Sequence, residues 1–164
     1  MRFRLLDRIT EIEPGHRIKG SVTLAGSEEY LKDHFPLFPV MPGVLMLEAM
    51  FQASMWLVRR TDDFAYAIVV LKEARNVKYA DFITPGLTLS VTSEMMKQEG
   101  DLFTLKAQGT VNGETAVSAR LILERAHIKD RRPSRAPSDP YTRKRMKQFF
   151  DDLYQPVPAT ETLV

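Results

Sequence analysis

Hydrophobic and polar positions along the chain change rhythm several times. Residues 3 to 12, FRLLDRITEI, and 16 to 24, HRIKGSVTL, mix β-branched and apolar residues with polar ones on either side of Glu13-Pro14-Gly15, which predicts two strands joined as a hairpin. A short polar connection, AGSEEYLKD, leads to the least polar stretch of the chain, HFPLFPVMPGVLMLEAMFQASMWLV at 34 to 58. Pro42 stands where a first helical position should be, and Val44 to Val58 run without glycine or proline, so one helix is expected there. Only Glu48, Gln52 and Ser54 interrupt its apolar surface, and the helix is therefore expected to be buried on every side. After a charged break, RRTDD, four more strands are expected at Ala65 to Tyr79, Thr88 to Gln98, Leu102 to Val111 and Glu114 to Arg125. Their breaks are Pro85-Gly86, Gly100-Asp101 and Asn112-Gly113, the last being the strongest short hairpin signal.

The order is two strands, one buried helix, then four strands joined by tight turns. This is an α+β pattern: an antiparallel sheet of about six strands wrapped around a long central helix. A single sheet of that kind has edges to protect and a second face to cover, so a homodimer is expected. The domain spans residues 1 to 127. From 128 to 164 the character changes, because IKDRRPSRAPSDP holds three prolines among basic and small polar residues and reads as a linker without a core. Asp139 before Pro140 is a candidate cap for a short amphipathic helix at 140 to 154, with Met146, Phe149, Phe150 and Leu153 on one face.

Composition narrows the possibilities. Apolar residues at 44% and charged residues at 27% are those of a soluble globular protein, and no uninterrupted apolar run reaches the roughly 20 residues of a membrane span. The first residues alternate charge with apolar side chains and lack a secretory signal's apolar block, so a cytoplasmic location is expected. With no cysteine, disulfides, thiolate catalysis and cysteine-bound metals are excluded. From Arg125 to Lys147 nine Lys/Arg face only Asp130 and Asp139, a local balance of +7 in a chain of net charge +2. Such a tail reads first as solvated linker, and its charge could also steer an acidic partner; nucleic-acid binding is not expected.

Chemistry concentrates in the stretch from 34 to 58. A carboxyl group at Glu48, among Leu47, Ala49, Met50 and Phe51, either finds a hydrogen-bond partner or keeps its proton, and a group that keeps its proton can serve as a general acid. Gln52 lies one turn on and could hold that carboxyl group in place. Prolines restrict Phe35, Phe38 and Met41 to extended conformations, so His34 is presented by a stiff segment. Pro42-Gly43 leaves free backbone N–H groups at the helix start, and Gly43 lets a substrate oxygen approach them. Each feature also has a structural reading: a loop histidine is often solvated, a buried glutamate is often a hydrogen-bond partner, and Met46, Met50 and Met55 read as core filling. There is no G-x-S-x-G, Walker or dinucleotide motif, and no metal or other cofactor is expected.

Taken together, HFPLFPVMPGVLMLEAMFQ resembles the active-site segment of the 3-hydroxyacyl-acyl carrier protein dehydratases of fatty-acid synthesis, HFPGxPVMPGxxxxEAMxQ. The likeness extends over about residues 2 to 125, including LLDRITEIEPG and FITPG, and does not cover the tail. It differs at Asp33 and Leu37, where the family has glycines, and at Ala80 and Asp81, where the family often has arginines. The resemblance implies a hot-dog fold, a homodimer that in this family often forms trimers of dimers, and an acyl tunnel at which His34 of one protomer faces Glu48 of the other. It implies dehydration of (3R)-3-hydroxyacyl thioesters, borne by acyl carrier protein or coenzyme A, to trans-2-enoyl thioesters. His34 would act as base and Glu48 as acid, with Gly43, Gln52, Phe35 and Met41 binding substrate. The alternative is a non-catalytic acyl-thioester binding or assembly subunit of the same fold; thioester hydrolysis ranks last.

Overall fold

In the computed structural model, which describes residues 3–158, the six strands form one antiparallel sheet. They are β1 (Arg8–Glu13), β2 (Arg17–Thr23), β3 (Ile68–Tyr79), β4 (Thr88–Glu99), β5 (Leu102–Val111) and β6 (Glu114–Ala126), in the order β1-β2-β4-β5-β6-β3. Sequential hairpins explain the run from β4 to β6. At the last of them Asn112 and Gly113 take φ of 51° and 83°, the consecutive left-handed pair that a two-residue hairpin turn demands. The long helix α1 (Gly43–Thr61) lies between β2 and β3 in the chain and packs against all six strands. The central strands turn alternate residues toward it, as with buried Phe103, Leu105 and Ala107 on β5.

The buried polar residues of α1 are bonded, except that Arg59 Nε has no partner among the described residues. Ser54 Oγ donates to the Met50 carbonyl at 2.8 Å, so the fully buried Ser93 on β4 donates to Ser54 at 2.6 Å, pinning the helix to the sheet. The expected break at RRTDD falls later than its charges suggest. Arg59 stays helical and buried because its guanidinium donates to the Tyr66 and Ala67 carbonyls at 3.3 and 3.0 Å. Burial pulls that guanidinium down to about 10. The expectation that α1 is buried on every side is corrected. Val44 is exposed and Leu47, Glu48, Phe51 and Met55 are only half-buried, and their spacing puts all five on one flank that a single chain leaves open.

The stretch read as a linker is folded as far as 158; its last six residues, 159–164, lie outside the described residues. It forms a short helix, α2 (Ile128–Arg131), a 3-10 turn over Pro133–Ser138, and then α3 (Asp139–Leu153). Asp139 does not cap α3; its carboxylate instead accepts from the Ile128 N–H at 2.9 Å and from Arg143 at 3.0 Å. Nor is the tail without a core. Phe150 is only 4% exposed and its ring meets Trp56 and Phe64 at 6.0 and 5.7 Å, because the apolar face of α3 closes the end of α1 that the sheet leaves uncovered. Beyond α3 the chain pairs with the outer edge of β1, through a parallel bridge from Tyr154 to Ile9 and a 2.9 Å bond from Gln155 N–H to the Ile9 carbonyl. Phe150→Ala should therefore lower unfolding stability by about 3 kcal/mol, read from the urea midpoint, although it lies far from any candidate chemistry in sequence.

Candidate active site

His34 follows a 3-10 turn over Glu29–Lys32 and begins a loop closed on itself. The Val40 N–H donates to the His34 carbonyl at 3.2 Å, while His34 Nδ1 lies 3.1 Å from the Val40 carbonyl. A carbonyl can only accept, so Nδ1 carries the proton and Nε2 keeps its lone pair. The His34–Phe35 peptide is cis, and the Phe35 ring stacks on the imidazole at 4.5 Å. Met41 N–H donates to the Ile83 carbonyl at 2.9 Å, which ties the loop to the turn ahead of β4. Two prolines and these reciprocal bonds leave His34 little freedom to move.

The imidazole lines a cavity of about 470 Å³ with Val40, Met41, Gly43, Tyr79 and Phe82 among its walls. Gly43 is the first residue of α1, no side chain caps that helix end, and the backbone bonds of the described residues give Gly43 and Val44 N–H no acceptor. A Cβ at Gly43 would sit 3.0 Å from the Tyr79 ring, so glycine is what lets this aromatic wall close over the helix start. The cavity is mostly apolar; its polar groups include the His34 imidazole, the two N–H donors at the start of α1, the Tyr79 hydroxyl and the Asp81 carboxylate.

Of the candidate residues, His34, Met41 and Gly43 are brought to this cavity, and Phe35 flanks it through the histidine. Glu48 and Gln52 are not among its walls; they lie further along α1, on and beside the open flank, with Gln52 Nε2 donating to Glu48 Oε1 at 2.9 Å. Tyr79 and Phe82 were not anticipated from the sequence. The signal available was the aromatic pair in KYADF just before the Pro85-Gly86 turn, which the sheet order carries across to the start of α1. Asp33 lines a separate hollow with Arg4, Tyr30 and Met41, and among the described residues it makes no bond to His34. Leu37 is 100% exposed at the loop tip.

Known proteins resemble this chain in sequence and in fold. A family model described as the FabA-like domain matches residues 1–120. A 3-hydroxyacyl-[acyl-carrier-protein] dehydratase FabZ of Levilactobacillus brevis is 34% identical over 71% of this chain and 78% of its own. The protein of the same name from Clostridium acetobutylicum is 36% identical over 71% of this chain and 83% of its own. Among solved structures, the dehydratase heterocomplex ApeI:P of Xenorhabdus doucetiae superposes with a TM-score of 0.61 at 20% identity, covering 76% of this chain and 84% of that one, a likeness of fold. The sheet wrapped round α1 is thus a hot-dog fold, and with its sequence matched over residues 1–120 the chain belongs to the FabA-like domain family.

Proposed function

We propose that the chain is a hydro-lyase that converts (3R)-3-hydroxyacyl thioesters to trans-2-enoyl thioesters, in a site completed by a second copy of itself. The observation that carries this reading is the state of His34: its Nδ1 proton is committed to the Val40 carbonyl, and its Nε2 lone pair is free at the wall of a cavity that also holds the uncapped start of α1. The name shared by the relatives supports both the reaction and acyl carrier protein as the bearer of the thioester.

The chemistry balances without any further reagent. Nε2 takes a proton from the carbon next to the thioester, the electron pair forms the new double bond, and the hydroxyl on the following carbon leaves as water with a proton from Glu48. As negative charge builds on the thioester oxygen, the free N–H groups of Gly43 and Val44 oppose it, and preorganised donors of this kind are worth about 3 kcal/mol. Apolar walls exclude competing water.

Three features support a second copy as the source of Glu48. The half-open flank of α1 includes Glu48 itself, and Phe35, Phe38, Val44, Tyr79 and Phe82 expose an apolar rim around the cavity. The chain's end covers the β1 edge, whereas β3, at the other edge, has no outer strand among the described residues. Asp33 and Leu37, the departures from the family's glycines that would favour a binding subunit without chemistry, take no part in the His34–Val40 pairing.

At a pH where the imidazole is neutral, nitrogen-15 spectra of His34 should report the Nδ1–H tautomer; an Nε2–H tautomer would remove the base. His34→Ala and Glu48→Gln should each lower kcat about 10³-fold on a short 3-hydroxyacyl thioester. Mixing the two inactive variants and allowing subunits to exchange should restore about a quarter of the wild-type rate, since half the dimers are then mixed and each has one intact pair. Failure of the exchanged mixture to recover activity contradicts a shared site.

A further inference from the structure

We infer that the C-terminal helix α3 positions the side chain of Glu48 from a distance, by clamping residues 3–5 so that their backbone dictates which end of the Gln52 amide faces the carboxyl group. The inference rests on the dehydratase reading for its effect on rate, but its structural content stands apart from it.

Residues 3–6 belong to no strand. Among the described residues the hydrogen bonds of this segment run to one side chain: Leu5 N–H donates to Gln52 Oε1 at 2.9 Å, and Gln52 Nε2 donates to the Phe3 carbonyl. The second hydrogen of Nε2 goes to Glu48 Oε1 at 2.9 Å. Gln52 is only 9% exposed, so water is a poor substitute for these partners. Rotating the amide by half a turn would set its oxygen against the Phe3 carbonyl and Glu48 Oε1, and its NH2 against the Leu5 N–H. The segment therefore imposes one polarity: Glu48 Oε1 is held as an acceptor, which leaves Oε2 to carry a transferable proton.

The segment has no sheet partner, and what holds it from the other side is α3. The Arg4 guanidinium lies 3.7 Å from the centre of the Phe149 ring, and Phe3, Arg4 and Leu6 line a surface hollow together with Leu153. α3 lies beyond residues 1–120, so this support is added to the family's domain from outside the matched region. Gln52, Arg4 and Phe149 are positioning residues here.

The test compares Arg4→Ala and Phe149→Ala with Arg4→Lys and Phe149→Tyr in the full chain. In wild type the two Gln52 side-chain amide protons should resonate well apart, each in its own hydrogen bond; in the alanine variants they should move toward the values of a free glutamine, and the conservative variants should restore them. In the same variants kcat should fall about tenfold with KM within about twofold, the signature of a contact that matters after substrate is bound. Arg4 is exposed, so its variant stays folded even if Phe149→Ala does not. Unchanged Gln52 signals in a folded Arg4→Ala protein overturn the inference, as does an equal change in kcat and KM that the conservative variants fail to reverse. A folded wild type without turnover overturns the dehydratase reading instead, while the amide signals still decide whether α3 acts on Gln52.

Discussion

The burial of α1 is the constraint on which the rest of the structure depends. A 19-residue helix with three polar interruptions before its last turn is too apolar to lie at a surface, and the protein answers by bending a six-stranded sheet around it. The sheet covers most of the helix, α3 closes one end with Phe150, and the residues from 3 to 6 cover part of the middle. What remains is one flank, Val44 to Met55, and the chain has no described element left to cover it. The gap coincides with Glu48, so a packing requirement and a chemical one meet at the same place.

Polar groups inside such a core are tolerated only when they are bonded, and α1 meets that condition in a graded way. Ser54 is satisfied by its own helix and by Ser93, entirely within the fold. Gln52 is satisfied by the backbone of a segment that has no other hydrogen-bonded support. Glu48 has only Gln52 as a bonded partner among the described residues, leaving one carboxyl oxygen for whatever approaches the open flank. His34 shows the same economy, since one ring nitrogen is spent on the Val40 carbonyl and the other is spared. The reactive capacity of both side chains is what remains after the local bonds are made.

Much of this was legible in the sequence because it is local. The limits of the later five strands fell within three residues of expectation, while the first begins at Arg8, five residues later than expected; Asn112-Gly113 marked its hairpin, since a two-residue turn depends only on its own backbone angles. Of the motif from His34 to Gln52, the part that ends at Met46 supplies walls of the candidate cavity. Its wall of Tyr79 and Phe82 was hidden, because it exists only once β3 has crossed to the far edge of the sheet. The end of α1 was misjudged for the same kind of reason: Arg59 reads as a surface charge until the carbonyls of Tyr66 and Ala67 fold back onto it. In the tail, the apolar face of α3 could be read from its spacing, but not the place where it docks; Phe150 meets Trp56 and Phe64 through a turn that periodicity does not encode.

The proposed division of the site between copies makes activity a property of the assembly. Sedimentation of the protein at dilute, catalytic concentrations, with dehydration followed in the moving boundary itself, tests this most directly. The account predicts that turnover travels with a species of twice the 18.8 kDa chain mass or an even multiple of it. Turnover travelling with a species of 18.8 kDa would contradict it.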